Sequence, residues 1–325
     1  MSDTMQETPV AAQAREKMVA RMRVAVRIRP PLPREVQDGK FLSCVGVGPT
    51  TEKGQTIFIN SSDKPVIMSS NKEAPSGGGK ISRYTFDKIF APNLDQERVY
   101  SFTMEPLVQA IMDGYNATVL AYGQTGSGKT HTILGEGDGD LEGLTGRAVR
   151  NIISDTRVSE VRLSVVQVYQ DTISDLLSQT PGESLTVRNS YEGVKVDCLT
   201  ETKITNVKEF KKLLNYALKK RAVGGTLMNE VSSRSHMIII VIVRTGNGLA
   251  KLNLVDLAGS ERLQDSQAKG QRLQETCSIN SSLFALVAVV ESLSSGKTFV
   301  PYRNSKLTQI LSDSIGGRGE YFAIT

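Results

Sequence analysis

Residue types that often carry protein chemistry are scarce in this 325-residue sequence, which has no tryptophan, three cysteines and two histidines. Cys44, Cys198 and Cys277 lie far apart and form no CxxC pair, which argues against a disulfide framework and for a reducing compartment. Zinc-finger spacing and RNA-binding aromatic signatures are also missing. We therefore do not expect nucleic acid to be the partner.

Long apolar runs are absent as well. Met237 to Val243 is among the longest, and its seven residues are far too few to span a bilayer. The sequence begins MSDTMQETPVAAQARE, which is polar and lacks the apolar segment of a secretory signal. We therefore expect a cytosolic or nuclear protein without membrane insertion.

Positive charge is concentrated in two stretches of a chain whose net charge is +5. Residues 1–34 carry seven basic and three acidic residues, and residues 203–221 carry seven and one. Such patches attract polyanions, including nucleic acid, membranes and acidic protein surfaces, but a solvated helix face has the same composition. The sequence leaves both interpretations open.

Apolar periodicity predicts a layered α/β fold. Residues 161–170, 237–243 and 252–256 have the pattern of strands, and the last two are continuous apolar runs typical of buried central strands. Helices are predicted at residues 206–221 and about 271–294 from apolar side chains at helical spacing. Strands that alternate with helices favour an α/β architecture. We predict one domain at residues 21–325, preceded by a flexible arm at residues 1–20.

The densest glycine cluster follows the apolar run ATVLA. Residues 123–130 read GQTGSGKT and fit G-x-x-x-x-G-K-[ST] at every fixed position. Glycines let backbone N–H groups approach a polyphosphate closely, because no Cβ stands in the way. The lysine of such a P-loop binds the β- and γ-phosphates, and the final hydroxyl ligates Mg²⁺. The predicted nucleotide site contains Gly123, Gln124, Thr125, Gly126, Ser127, Gly128, Lys129 and Thr130, with His131 beside the loop.

Two further stretches have features of a phosphate site. In LNLVDLAGSE (252–261), a buried strand ends in Asp256, which supplies a second acid for the metal. Gly259 follows three residues later, where its N–H can contact a γ-phosphate. The segment NEVSSRSH (229–236) places two serines, an arginine and a histidine before another buried strand. Alone, this segment is equally well explained as a turn or N-cap cluster.

Together the three stretches resemble the kinesin motor domain, where they occur in this order as the P-loop, switch I (229–236) and switch II (256–261). Other segments agree, including VRIRP (26–30), the strand-to-helix segment VYQDTISDLL (168–177) and VPYRNSKLTQILSDSIGG (300–317). The resemblance implies a P-loop NTPase fold with a central, mostly parallel, twisted β-sheet and helices on both faces. It also implies a microtubule-dependent motor ATPase of the cytoplasm and cytoskeleton, with ATP/ADP and Mg²⁺ at the site.

The resemblance also assigns roles to single residues. Arg27, Arg29 and Pro30 match the motif that brackets the adenine and ribose. Closure of the switches, through a salt bridge between Arg234 and Glu261, would organise the attacking water, so hydrolysis would depend on positioning more than on one strong base. The implied catalytic residues are Asn229, Ser232, Ser233, Arg234, Gly259 and Glu261, and the implied metal ligands are Thr130, Ser233 and Asp256.

A basic microtubule-binding face is implied as well, because the surface of tubulin is acidic. Positive charge remains on this face at Arg262, Lys269, Arg303 and Lys306. Where the family commonly has lysine or arginine, this chain has Asp197, Asp265, Ser281 and Gln309. Each lost rim ion pair removes up to about 1 kcal/mol, so we expect weak or unusually salt-sensitive microtubule binding.

The motifs leave some alternatives open. YFAIT (321–325) resembles the family's last central strand, and the final helix and neck of the family are absent, so we expect a C-terminally truncated motor domain. Direction, processivity, cargo and any dimerisation would then depend on regions outside this sequence. A nucleotide-gated microtubule-binding module and a microtubule depolymerase are the alternative functions. A P-loop GTPase ranks last, because the guanine-reading N-K-x-D pattern is missing.

Overall fold

The computed structural model describes residues 22–36, 43–60, 66–68, 75–76, 80–180, 185–190, 193–223, 231–261, 271–316 and 319–325. The strands are β1 (Arg23–Arg27), β2 (Val45–Thr51), β3 (Gly54–Asn60), β4 (Ile67–Met68), β5 (Pro75–Ser76), β6 (Ile81–Phe86), β7 (Lys88–Phe90), β8 (Ala117–Ala121), β9 (Val158–Tyr169), β10 (Thr172–Asp175), β11 (Val187–Ser190), β12 (Gly193–Val196), β13 (Thr202–Ile204), β14 (His236–Thr245), β15 (Gly248–Asp256) and β16 (Glu320–Ile324). The α-helices are α1 (Gln96–Thr103), α2 (Glu105–Met112), α3 (Lys129–Ile133), α4 (Leu144–Ser154), α5 (Val207–Val223), α6 (Val231–Arg234), α7 (Gln271–Ser294) and α8 (Lys306–Ile310). The predicted arm at residues 1–20 lies outside the described residues.

Nine strands of the described chain form one sheet, in the order β10-β9-β14-β15-β8-β16-β1-β7, with β13 also paired to β9. The pairs of β8 with β15 and β16, and of β1 with β16 and β7, are parallel. The other four pairs are antiparallel. The predicted α/β fold is confirmed, but the sheet is mixed and not mostly parallel.

Short connections explain two of the four antiparallel pairs. Two residues join β14 to β15, and Gln170 and Asp171 join β9 to β10; connections this short cannot cross over to a parallel neighbour. Gln170 and Asp171 have φ of 49° and 56°, as the common two-residue hairpin turn requires. The strand-to-helix transition expected at residues 168–177 is therefore wrong, and this segment is a hairpin.

Helices cover both faces of the sheet, as predicted. Neighbouring residues of one strand point into different cores, so that Val119 of β8 lies in one and Leu120 in the other. The first core includes Leu107 of α2 and Phe210 of α5, and the second includes Leu286 of α7. Within the described residues, no helix has both the length and the apolar character needed to cross a bilayer.

The strand register brings the three predicted motifs together. β8 and β15 are parallel neighbours in which Ala121 lies opposite Asp256. Because the P-loop follows β8 directly, the acid at the end of β15 is placed beside it. β14 begins at the same edge, with Met237 opposite Asp256. The switch I segment, which leads into β14, therefore meets the P-loop and switch II at one edge of the sheet.

Candidate active site

The P-loop between β8 and α3 has the backbone of a phosphate cradle. Gly126 and Gly128 have φ of +78° and +100°, a conformation that residues with a side chain rarely adopt. A Cβ on Gly123 would lie 2.7 Å from Ser127 Oγ, so a larger residue would disturb the loop itself. The glycine pattern in the sequence therefore has a conformational cause at these three positions.

The Lys129 ammonium lies against the inside of this loop. Its Nζ donates to the carbonyl oxygens of Gly123, at 2.9 Å, and Gln124, at 2.8 Å. Burial lowers the pKa of Lys129, and the carboxylates of Asp256 and Glu261 oppose that effect. These carbonyl acceptors are neutral. Replacing one of them with a charged phosphate oxygen would give the ammonium a stronger hydrogen bond, because charge-assisted hydrogen bonds are stronger.

Asp256 links the P-loop to helix α5. Its Oδ2 accepts a hydrogen bond from Thr130 Oγ1 at 2.9 Å and pairs with Arg221 Nη1 at 3.3 Å. The other carboxylate oxygen, Oδ1, is buried and has no hydrogen-bond partner among the residues that the structure describes. Buried polar atoms are usually satisfied, so a carboxylate oxygen left over beside a threonine hydroxyl fits a metal ion or its bound water.

Arg221 is a site residue that the motifs did not reveal. Burial lowers its pKa, and the nearby Asp256 carboxylate counteracts this effect. The guanidinium also donates to the carbonyl oxygen of Ser235 at 2.8 Å. A sequence signal did exist: Phe210, Leu214, Ala217 and Arg221 follow one another at helical spacing, so this arginine falls on the apolar face of α5.

Residues 257–260 of switch II donate four successive backbone N–H groups to four different parts of the fold. The acceptors are Ala121 O for Leu257 (3.3 Å), His236 Nδ1 for Ala258 (3.0 Å), Ser233 O for Gly259 (2.8 Å) and Gly123 O for Ser260 (3.1 Å). The end of β8, β14, switch I and the P-loop are thereby all fixed to switch II. The Gly259 amide, expected to contact a γ-phosphate, has the Ser233 carbonyl as its partner here.

Glu261 contacts the P-loop. Its carboxylate accepts hydrogen bonds from Thr125 N, at 2.9 Å, and Thr125 Oγ1, at 2.6 Å. Burial alone would raise the pKa of Glu261, but the hydrogen bonds from Thr125, with its own backbone N–H and the Lys129 charge, together lower it. The carboxylate is thus held ionised next to the cradle. Its pairing with Arg234, implied by the resemblance, stays a prediction.

His236, the first residue of β14, is completely buried among the switches. Its Nδ1 receives the Ala258 N–H, and its Nε2 lies 2.7 Å from Ser282 Oγ on α7. Burial, followed by the positive charges of Arg221 and Lys129, lowers the pKa of His236 to about 3. The imidazole is therefore neutral at physiological pH and connects two parts of the protein.

The region expected to hold the base is built around Arg27. Its Nη1 donates to Gln96 Oε1 at 2.8 Å and to Thr132 Oγ1 at 2.9 Å, while Gln96 Nε2 donates to the His131 carbonyl at 2.6 Å. Arg29 pairs instead with Glu35, at 2.7 Å. The bond from Arg27 to Thr132 fastens β1 to the helix that follows the P-loop. The contact of Arg27, Arg29 and Pro30 with adenine stays a prediction.

Of the other predicted residues, some are described and some are not. Asn229, Arg262, Asp265 and Lys269 lie outside the described residues, and the side chain of Ser232 is not described. Arg303 and Gln309 line a cleft of about 450 Å³ together with Arg188 and Tyr302. Lys306 is the first residue of α8, and its backbone N–H donates a hydrogen bond to Asp171 Oδ1 at 2.6 Å.

Asp197, which stands where the resemblance implies a lysine, is not a lone acid. It follows β12 and pairs with Arg188 of β11, and it also accepts a hydrogen bond from Thr186 Oγ1 at 3.0 Å. Part of its negative charge is therefore compensated within the protein. Basic residues of the 203–221 stretch are likewise used internally, since Lys211 pairs with Asp138 and Lys220 donates to the Ser178 carbonyl at 2.6 Å.

Comparison with known proteins identifies relatives of this chain. A family model described as the kinesin motor domain matches residues 27–325. The kinesin-like protein KIN-14P of Arabidopsis thaliana is 37% identical over 326 residues, which cover 94% of this chain and 30% of that protein. The kinesin-like protein klp-20 of Caenorhabditis elegans is 39% identical over 289 residues, covering 83% and 44%. This chain spans less than half the length of these two relatives.

Solved structures give the same result at the level of the fold. The structure of a fast kinesin, studied for its ATPase mechanism and its interactions with microtubules, superposes with a TM-score of 0.78 at 35% identity, covering 93% of this chain and 84% of the other. The motor domain of the Kar3-like kinesin from Ashbya gossypii superposes with a TM-score of 0.72 at 31% identity, covering 93% and 91%.

Proposed function

The chain belongs to the kinesin motor domain family, and from that premise we propose that it binds Mg-ATP, hydrolyses it and couples hydrolysis to microtubule binding and movement. The single observation that supports the chemistry best is the convergence of Lys129, Thr130 and Asp256 at one edge of the sheet. The lysine can hold phosphate oxygens, and the other two can hold a metal ion. The corresponding cellular location is the cytoplasm, on the microtubule cytoskeleton.

Magnesium fits the residues that would hold it. Thr130 and Asp256 supply oxygen ligands, which Mg²⁺ prefers, and within the described part of the chain Asp256 Oδ1 is a buried oxygen with no other partner. Ser233 of switch I is the third proposed ligand. When bound, the ion neutralises charge that develops on the β- and γ-phosphate oxygens.

The protein's own groups would then carry the reaction by positioning and electrostatics. The P-loop N–H groups and Lys129 hold the phosphates and stabilise the charge that spreads over the γ-phosphoryl oxygens in the transition state. Asn229, Ser232 and the Gly259 N–H position the γ-phosphate and the attacking water. For this, Gly259 must exchange the Ser233 carbonyl for the phosphate.

Switch closure has a defined starting point in Glu261. We place the Arg234–Glu261 salt bridge in the closed form, which requires Glu261 to leave Thr125. That exchange converts a contact between switch II and the P-loop into one between the two switches, and it removes a carboxylate from the anion site. Arg27, Arg29, Pro30 and His131 would hold the base and ribose at the other end of the nucleotide.

The proposed microtubule face includes Arg262, Lys269, Arg303 and Lys306. Asp197, Asp265, Ser281 and Gln309 reduce its positive charge, so we expect weaker and more salt-sensitive binding than a fully basic face would give. That reduction is the observation in favour of a nucleotide-gated binding module with little hydrolysis. Dimerisation would come from regions outside this chain.

Steady-state ATP turnover with and without polymerised tubulin, over a salt series, tests the proposal. We expect microtubules to stimulate turnover and salt to diminish that stimulation. Lys129→Ala should lower turnover by about 10² to 10³-fold, because it removes a donor to the transition-state charge. Lys219→Ala, which removes an exposed lysine of α5, is the matched control and should leave turnover unchanged.

The alternatives predict different results. Nucleotide-dependent microtubule binding without stimulated turnover would favour the binding module. Shortening of stabilised microtubules by the protein would favour a depolymerase. Turnover that Lys129→Ala leaves intact would contradict the proposed site altogether.

A further inference from the structure

His236 takes no part in the proposed hydrolysis, yet it is buried at the junction of both switches and helix α7. We propose that His236 and Ser282 are positioning residues which transmit the position of the switch II backbone to α7, so that the nucleotide controls the helix that follows switch II. The proposal rests on the proposed function, because it explains how a change at the nucleotide site is transmitted to the partner-binding side.

The contacts form an unbroken chain from backbone to backbone. The Ala258 N–H donates to His236 Nδ1 at 3.0 Å, His236 Nε2 lies 2.7 Å from Ser282 Oγ, and that hydroxyl donates to Ile279 O at 2.7 Å. His236 is 2% exposed and Ser282 is 5% exposed. Water therefore has little opportunity to replace any of these bonds.

The proton positions follow from chemistry. A backbone amide can only donate, so Nδ1 of His236 must be the unprotonated nitrogen and Nε2 must carry the hydrogen. Nε2–H then donates to Ser282 Oγ, which leaves the serine hydrogen for the Ile279 carbonyl. Every donor has one acceptor, and the relay has a single direction, from switch II to α7. No other neutral tautomer satisfies both ends.

The position of the relay suits it for coupling. Ala258 directly precedes Gly259, the residue whose amide must change partner when a γ-phosphate binds. At the other end, Ile279 and Ser282 lie in α7, and Ser281 of the proposed microtubule face is their neighbour. Movement of the switch II backbone thus changes a buried hydrogen bond to α7, which is costly to leave unmade. This side-chain route is independent of the main-chain connection at residues 262–270.

Substitution of Ser282 tests the relay, with a control on the same helix. Ser282→Ala removes the hydroxyl, and Ser282→Thr keeps it. Ser292→Ala removes another α7 serine, which is 6% exposed against 5% for Ser282. For each variant, microtubule affinity is measured with ADP and with a non-hydrolysable ATP analogue, and the ratio of the two affinities is the readout. The midpoint of thermal unfolding is recorded alongside.

The expected result is specific to coupling. Ser282→Ala should move the affinity ratio toward one by about 3- to 10-fold, the range that corresponds to one buried hydrogen bond. Ser282→Thr and Ser292→Ala should keep the wild-type ratio. A merely structural serine would lower the unfolding midpoint and leave the ratio within about twofold of wild type, which would overturn the proposal.

A second measurement needs no microtubules and separates this proposal from the proposed function. Amide hydrogen exchange in α7 is compared between ADP and the ATP analogue. If the wild type binds no microtubules, the proposed function fails, but the relay is supported if exchange in α7 responds to nucleotide in the wild type and not in Ser282→Ala. An equal response in both, or none in the wild type, overturns it.

Nitrogen NMR should find the His236 proton on Nε2, and a proton on Nδ1 would contradict the assignment.

Discussion

Two arginine–aspartate pairs occupy opposite environments in this molecule. The side chains of Arg221 and Asp256, at the nucleotide site, are 4% and 3% exposed. Those of Arg188 and Asp197, beside the β11–β12 hairpin, are 75% and 31% exposed. Both pairs join a guanidinium to a carboxylate. Both charges of the first pair are shielded from water, whereas both charges of the second pair remain hydrated.

The difference shows that burial decides what such a pair does. Removal of one partner from a buried pair leaves an uncompensated charge and typically costs about 3–5 kcal/mol, whereas an exposed pair contributes about 0–1 kcal/mol. The buried pair therefore fixes the position of a proposed metal ligand. The exposed pair can separate cheaply, which leaves Arg188 available to an acidic partner and Asp197 able to repel one.

The largest expected effect comes from breaking each pair by the same change. Arg221→Ala should lower the free energy of unfolding by about 3–5 kcal/mol, because Asp256 stays buried without its counter-charge. Arg188→Ala should lower it by less than about 1 kcal/mol. Urea unfolding of both variants measures the contrast, and similar losses for the two would refute the distinction.

A pH series sharpens the comparison, because the buried charges also act on His236. The pKa of His236 is lowered to about 3 by burial and by Arg221 and Lys129. Between pH 6.5 and about 3 the unfolded chain binds a proton at this residue that the folded chain does not. The contribution of His236 to the free energy of unfolding is therefore fully present above pH 6.5. Below that pH it falls, by up to about 1.4 kcal/mol per pH unit.

Urea unfolding of the wild type and of His236→Gln, from about pH 7.5 down to pH 4.5, isolates that contribution. The difference in stability between the two proteins should shrink as the pH falls. His131→Gln, which removes the other histidine, is measured in the same way as the control. Parallel pH profiles for wild type and His236→Gln would show that the buried imidazole does not govern acid stability.

The smallest expected effect concerns the exposed pair and its partner. Asp197→Lys should raise microtubule affinity by about two- to fivefold at low salt, since a rim ion pair contributes at most about 1 kcal/mol. The gain should fade as salt rises. Asp140→Lys makes the same charge change in the 3-10 helix Gly139–Leu141 and should leave affinity unaltered. Equal gains from both would indicate net charge and not a particular contact.

The sequence predicted most of what local chemistry determines. The P-loop was recognisable because its glycines are needed at particular φ values, and Asp256 because a buried strand ends there. The buried strands β14 and β15 were evident from continuous apolar runs. These features depend on residues close together in the chain.

Features that depend on tertiary partners were missed. The hairpin at Gln170 and Asp171 was not evident, because glutamine is an unusual residue at positive φ and its conformation is set by the pairing of β9 with β10. In the sequence Arg221 belongs to a stretch rich in basic residues, and only the structure shows that it is buried against Asp256. His236 lay in a recognised motif, but its role depends on Ser282, which is distant in sequence.

The place of β16 in the sheet has a consequence for how the protein is made. β16 lies between β8 and β1, and Arg23 of β1 pairs with Phe322 of β16. During synthesis, β1 and β7 emerge first but cannot join the rest of the sheet until residues 320–324 have left the ribosome. Contacts between such distant residues slow folding, so the early strands must wait with unpaired edges. We therefore expect the nascent motor domain to depend on protection from aggregation until β16 arrives.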